Sequence, residues 1–256
     1  MSSVRRFVVA LMLVCAMALV TGSCSLLDPY SYRPVGRVMN MYDSTVSVVV
    51  NMQGKFKPVG AGVVLQCKAN RPKLILTAWH VVEAVKEYQR EPIPLSTSDV
   101  GPDAPLPVAP ETEMIMVGSK KDWSFTFTRV KAKMEKEDLA LLEGVSPERN
   151  DCPAAEVAPV EPSLGETVWA IGTPMGKERN ITRGVLSHKW INNSVQVYRH
   201  DAALFFGNSG GPLFNNEGQV VGINSFGEMF FFSVMPGGNN AIALPHIWSL
   251  VKPVLH

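Results

Sequence analysis

An all-β fold, a barrel or a sandwich, is predicted by three observations. Short β-branched or alternating runs recur along most of the chain, Gly, Pro or Asn bounds them, and few segments show helical period. Residues 46–50 are Val-rich, and 59–66 carry Val63, Val64 and Leu65 after a Gly-Ala-Gly stretch. Residues 73–76 hold Leu74, Ile75 and Leu76; 114–117 are apolar; and 124–133 alternate through Phe125, Phe127 and Val130. Residues 167–171, 181–189, 195–198 and 220–223 complete the strands, each started near Gly, Asn or a polar turn. Residues 81–88 predict a short helix, and 246–251 a terminal helix stopped by Pro253. Residues 147–162, with Pro153 and Pro159 inside, read as a crossover between two halves. Residues 88–110 are rich in proline and aperiodic, which reads as a surface insertion beside the cleft. Lys131, Lys133 and Lys136 alternate with Glu135 and Glu137, the pattern of a solvated strand edge.

The chemistry concentrates in three segments. Gly207-Asn208-Ser209-Gly210-Gly211-Pro212 puts one hydroxyl on a turn whose glycines let backbone amides converge beside it. A serine hydroxyl attacks a carbonyl only when a base takes its proton and donors receive the resulting oxyanion. Residues 74–82 form an apolar run that carries His80, and Asp138 heads a second apolar run, Leu139 to Leu142. Taken singly, His80 reads as a structural histidine and Asp138 as a helix N-cap. Together, the order His, Asp, Ser, each at the edge of an apolar element, matches one of the few orders known for an acyl-transfer triad. The catalytic reading is the stronger one.

Thr77-Ala78-Trp79-His80-Val81, Asp138 to Leu142 and Gly207 to Pro212 resemble the three signature blocks of trypsin/chymotrypsin-fold serine proteases. Ala170 to Gly176, Ile181 to Ser187, Asp201-Ala202-Ala203 and Ala241 to Pro245 are similar to the bacterial HtrA/Deg-type branch. The resemblance covers residues 46–251. It implies two antiparallel six-stranded β-barrels, residues 41–154 and 155–256, the second ending in a short helix, with the active site at their interface. It implies a serine endopeptidase with His80, Asp138 and Ser209 as triad and an oxyanion hole at Gly207, Asn208 and Ser209. The amides of Gly207 and Ser209 receive the charge, and Asn208 shapes the turn. Ala203, Ser225, Phe226, Gly227 and Ala241 are implied to bind substrate. With no acid among them, the expected preference is a small or medium apolar residue before the scissile bond.

Trp79 and the segment Leu204-Phe205-Phe206 depart from the family pattern. Trp79 stands where a small or polar residue is usual, so its indole is expected to point away from the cleft. Leu204-Phe205-Phe206 bears on substrate preference rather than on the chemistry. Asn208 replaces the aspartate that pairs with a newly cut N-terminus in digestive relatives, so activation by N-terminal cleavage is not expected. A catalytically silent peptide-binding module is the alternative, and it would normally have lost a triad residue.

Residues 1–23 read as an export signal: Arg5 and Arg6, an apolar run from Phe7 to Val20, then small residues before Cys24. This resembles a bacterial lipobox, with Cys24 lipidated and residues 24–40 as a tether; an ordinary signal peptide cut near Ser23 is the other reading. An exported, lipid-anchored protein of the bacterial envelope follows, at the outer membrane or in the periplasm. Cys67 and Cys152 then remain, and export permits a disulfide without requiring one. No metal-ligand spacing and no cofactor motif is present. The net charge of +1 offers no electrostatic case for nucleic acid. The expected partners are unfolded or flexible protein substrates and the membrane. A further peptide-binding domain of the kind HtrA-type proteins carry after the protease is not expected, and one sequence leaves homo-oligomerisation open.

Overall fold

The computed structural model describes residues 36–52, 55–90, 115–119, 124–174, 179–225 and 238–255. The chain divides into two units, residues 1–35 and 36–256, and all described residues belong to the second. The predicted signal, Cys24, residues 91–110 of the expected insertion, and Phe226 and Gly227 lie outside the described residues.

Helix α1 (Gly36–Ser44) leads into β1 (Thr45–Met52), β2 (Lys55–Gln66) and β3 (Pro72–Thr77). After α2 (Trp79–Arg90) come β4 (Ile115–Ser119), β5 (Ser124–Met134) and β6 (Leu139–Pro147). The described strands of this half close into an antiparallel barrel in the order β1-β2-β3-β6-β5-β4. The second half holds β7 (Thr167–Gly172), β8 (Asn180–Asn192), β9 (Val195–His200), β10 (Pro212–Phe214), β11 (Val220–Asn224) and β12 (Asn239–Ala243). It closes likewise in the order β10-β11-β12-β9-β8-β7, and α3 (Leu244–Leu255) follows. Closure gives each described strand a neighbour on both sides over at least part of its length. Val63, Ile75, Leu76 and Leu141 in the first barrel, and Val168, Leu186, Val197 and Leu213 in the second, are fully buried. Each such side chain contributes about 1.5–3 kcal/mol relative to exposure.

The structure corrects several expectations. β6 is a strand, so the helix N-cap alternative for the Asp138 segment falls; Leu139 to Leu142 are all buried. β10 and β12 were not anticipated, the first because three residues carry too little pattern. The Lys131 to Lys136 segment lies beyond the part of β5 that β4 covers: β4 reaches only Thr128, so Lys131 and Lys133 stand on a stretch paired with β6 alone among the described strands. Its lysines line an outer face, where Lys131 Nζ donates to Glu143 Oε1 at 2.8 Å beside Arg129. Both contacts hold the Glu143 carboxyl below its usual range, against the opposing effect of burial. Helix α3 starts two residues earlier than expected and continues through Pro253 to Leu255. A proline this close to the end removes one hydrogen bond, while Val254 and Leu255 pack against the core. Residues 36–40, expected in a tether, begin α1, whose Met41 is buried. The Arg179 guanidinium lies over the Tyr42 ring at 4.3 Å and donates to the carbonyls of Tyr42 and Thr45.

The crossover between barrels is tied to both. Ala155 N–H donates to Val64 O, Val220 N–H to Glu156 O, and Ala158 N–H to Val220 O. Cys67 and Cys152 form a disulfide across 85 residues of sequence. Cross-linking a loop of that length removes denatured-state entropy worth about 4.6 kcal/mol. Cys67→Ala/Cys152→Ala is therefore expected to lose stability of that order in urea unfolding at equilibrium. An unchanged midpoint and slope would refute the assignment.

Candidate active site

Strand β3 delivers the histidine. Leu74 to Thr77 are buried, and Thr77 Oγ1 donates to Ala61 O at 2.7 Å, fixing the strand end on β2. The chain then turns directly into α2, with His80 in its first turn. Asp138 closes a tight turn before β6 with φ of 55°, a left-handed conformation that aspartate tolerates better than most residues. From there its backbone carbonyl accepts Trp79 N–H at 3.2 Å, and Oδ1 accepts His80 N–H at 2.8 Å. Asp138 thus satisfies two amides at the start of α2 that have no partner within the helix, one through its backbone carbonyl and one through its carboxylate. Its other oxygen, Oδ2, lies 2.7 Å from His80 Nδ1. A carboxylate only accepts, so Nδ1 donates and Nε2 is left with its lone pair. The site is part-buried, His80 being 30% and Asp138 19% exposed in their side chains, which leaves the imidazole reachable from solvent.

The glycine turn comes from the second barrel and docks on the first. Ala61 N–H donates to Ser209 O at 2.8 Å. Gly210 has φ of +79°, and a Cβ there would stand 2.2 Å from Thr77 Oγ1 and 2.4 Å from Ala61 O. No other residue fits both the backbone conformation and the space. A Cβ at Gly60 would meet the Val81 side chain at 2.6 Å and Ser209 O at 2.9 Å. The serine and the residue after His80 therefore flank the same glycine. The three expected triad residues share one region between the barrels.

Within the turn, Asn208 N–H donates to Phe205 O at 3.0 Å, so that amide is used internally. Of the three residues expected at the oxyanion hole, Gly207 and Ser209 are then the ones left to offer amides. The Gly207 carbonyl accepts from Thr173 N–H and Oγ1, each at 3.4 Å. Ala203 is exposed and its carbonyl accepts from Thr182 Oγ1, whereas Ala241 is fully buried on β12 opposite Asn224. Ser225, expected among the substrate-binding residues, has a further contact that the sequence did not announce: its hydroxyl donates to Asp138 Oδ2 at 2.5 Å. Asn224 and His200, both fully buried, were not anticipated at all. A hint existed in Asn224 itself, a polar residue ending an apolar strand, since buried polar groups need partners. Trp79 is 7% exposed, with Lys133 and Lys86 ammonium groups 4.3 and 5.3 Å from its ring centre.

A model of the trypsin-like peptidase domain matches residues 60–223, more than half of the chain. The chain belongs to the trypsin-like peptidase family. Among curated relatives of this peptidase domain, a probable periplasmic serine endoprotease, DegP-like, from Hahella chejuensis is 46% identical over 96 residues. That match covers 36% of the chain and 20% of the relative. The serine protease Do-like HtrA of Bacillus subtilis is 46% identical over 72 residues, 24% of the chain and 16% of the relative. These matches therefore span a fifth or less of the relatives' own length. In fold, the peptidase domain resembles a crystal structure of the serine endoprotease from Yersinia pestis with a TM-score of 0.60 and 22% identity. The likeness covers 85% of the chain and 64% of that structure. An HtrA-type protease AlgW with tripeptide gives a TM-score of 0.58 at 20% identity, over 86% and 62% of the two chains.

Proposed function

We propose that the chain is an exported serine endopeptidase that hydrolyses peptide bonds through an acyl-enzyme. The observation that carries the reading is the 2.7 Å contact between His80 Nδ1 and Asp138 Oδ2 beside a docked Gly-x-Ser-Gly-Gly turn. Ser209 Oγ attacks the substrate carbonyl, and His80 Nε2 takes its proton. The tetrahedral oxyanion is received by the amides of Gly207 and Ser209, an arrangement in which each donor contributes about 3–4 kcal/mol. Asp138 holds the imidazole tautomer and stabilises the imidazolium, while Ser225 orients Asp138. His80 then protonates the leaving amine. Water, activated by the same imidazole, releases the acid and restores Ser209.

The two barrels, residues 41–154 and 155–256, each contribute part of this centre. The substrates are unfolded or flexible proteins, and an N-terminal lipid on Cys24 holds the enzyme in the cell envelope. Family membership and the periplasmic relatives support export. Covalent labelling by a fluorophosphonate tests the activity: wild-type protein is expected to react at one residue, Ser209, identified by peptide mass. A wild-type protein inert to the reagent would overturn the reading in favour of a silent binding module.

Specificity follows from the residue types expected to bind substrate, Ala203, Ser225, Phe226, Gly227 and Ala241, which include no acid. A cation before the scissile bond would be desolvated without a partner, whereas a small or medium apolar side chain would not. Each methylene in such a pocket changes discrimination by about 1–3 kcal/mol, so selectivity is loose. Cleavage of a random peptide library is expected to favour Ala, Val or similar residues there. Cleavage confined to sites after Lys or Arg would sink this assignment.

A further inference from the structure

The nucleophile turn is anchored from behind by one side chain. Asn224, the last residue of β11, is fully buried. Its Nδ2 donates to Gly211 O at 3.1 Å and to Pro212 O at 3.0 Å. Its backbone carbonyl accepts Gly210 N–H at 2.8 Å, and its own N–H donates to Gly211 O at 2.9 Å. Each of the three residues after Ser209 is therefore bonded to Asn224. That leaves Oδ1, which is held 3.1 Å from His200 Nε2.

His200 ends β9 and is fully buried, opposite Asn239 on β12 and Leu186 on β8. An amide oxygen only accepts, so with Oδ1 toward the ring the imidazole donates from Nε2, while Nδ1 makes no hydrogen bond of ordinary geometry among the described residues. Flipping the Asn224 carboxamide would aim its oxygen at the carbonyls of Gly211 and Pro212 and its amide at the donor of His200. The two carbonyls thus fix the orientation, and the imidazole supplies the donor that Oδ1 then needs. A histidine kept only to fill space would be served as well by an apolar residue, which would leave Oδ1 buried without a donor.

We propose that His200 is a positioning residue: through Asn224 it sets the backbone of Gly210 to Pro212, and thereby holds Ser209 in place against the first barrel. The proposal rests on the serine-peptidase reading for its effect on rate. Burial pushes the imidazole pKa down to about 4, although the charge of Asp201 and the Ala202 carbonyl favour protonation. The neutral donor therefore persists throughout the neutral pH range, and the turn stays held where His80 acts as base.

The test compares His200→Leu, which fills the space without a donor, with His200→Gln, which restores an amide donor. Fluorophosphonate acylation is measured per folded molecule, with kcat and KM on a peptide ester. His200→Leu is expected to slow acylation and kcat by about tenfold with KM unchanged, and His200→Gln to recover most of the rate. Asn224→Ser, which breaks the relay while leaving His200, is expected to slow acylation similarly and carries the test where His200→Leu does not fold. Hydrogen exchange over residues 207–214 is expected to speed up in His200→Leu and not in His200→Gln. Acylation of His200→Leu or Asn224→Ser at the wild-type rate, or equal slowing by Leu and Gln at position 200, would overturn the proposal. An unreactive wild-type protein would instead defeat the peptidase reading. Exchange over residues 207–214 would still decide whether His200 holds the turn, unchanged protection overturning it.

Discussion

Ser209→Ala is expected to lower turnover of a peptide substrate about a million-fold and to abolish fluorophosphonate labelling. The size follows from what the hydroxyl supplies. Without Oγ no acyl-enzyme forms, and His80 has no nucleophile to deprotonate. The residual rate comes from the oxyanion donors and from binding alone, which act directly on attacking water. The fold should be unaffected, because the turn is held by backbone contacts, Ala61 N–H to Ser209 O and Gly210 N–H to Asn224 O, that the substitution leaves intact. Casein cleavage by purified Ser209→Ala within tenfold of wild type would show that another group is the nucleophile.

Asp138→Asn is expected to cost about four orders of magnitude in kcat while changing thermal stability little. The asparagine oxygen can still accept the His80 N–H, so the start of α2 remains capped. The other position now carries an amide that donates toward His80 Nδ1, 2.7 Å away in the wild type. Nδ1 is forced to accept, and the ring proton moves to Nε2, the atom required to take the proton of Ser209. The Ser225 hydroxyl also loses its carboxylate partner. Measuring kcat alongside a thermal melt separates the effects: a large stability loss with kcat within tenfold per folded molecule would assign Asp138 a structural role only.

The site was partly legible because its reactive groups sit on contiguous segments of unusual composition. His80 follows an apolar strand, Asp138 precedes one, and Ser209 lies among glycines that a loop would rarely collect without a steric reason. Most strands were legible for a related cause, since their apolar residues alternate or run together between turn-forming residues. β10 was not, having three residues, and β6 was obscured because its fully apolar start, Leu139 to Leu142, carries no period. The position of Ser225 was recognised, but the use of its hydroxyl was not. Asp138 and Ser225 are 87 residues apart, and nothing local to either announces the contact. The same holds for His200 and Asn224, whose strands β9 and β11 are separated by β12.

Local chemistry along the chain settles which residue types can act and that the polypeptide builds strands, since backbone preference and side-chain period are properties of neighbours in sequence. Which of those residues meet depends on barrel closure and strand register, because a slip of one residue would turn each inward side chain outward. Closure sets β3 beside β6, and docking of the second barrel on the first brings the glycine turn to them. The same docking carries a hydroxyl to Asp138, and closure of the second barrel carries an imidazole to Asn224, contacts between segments with no shared local pattern.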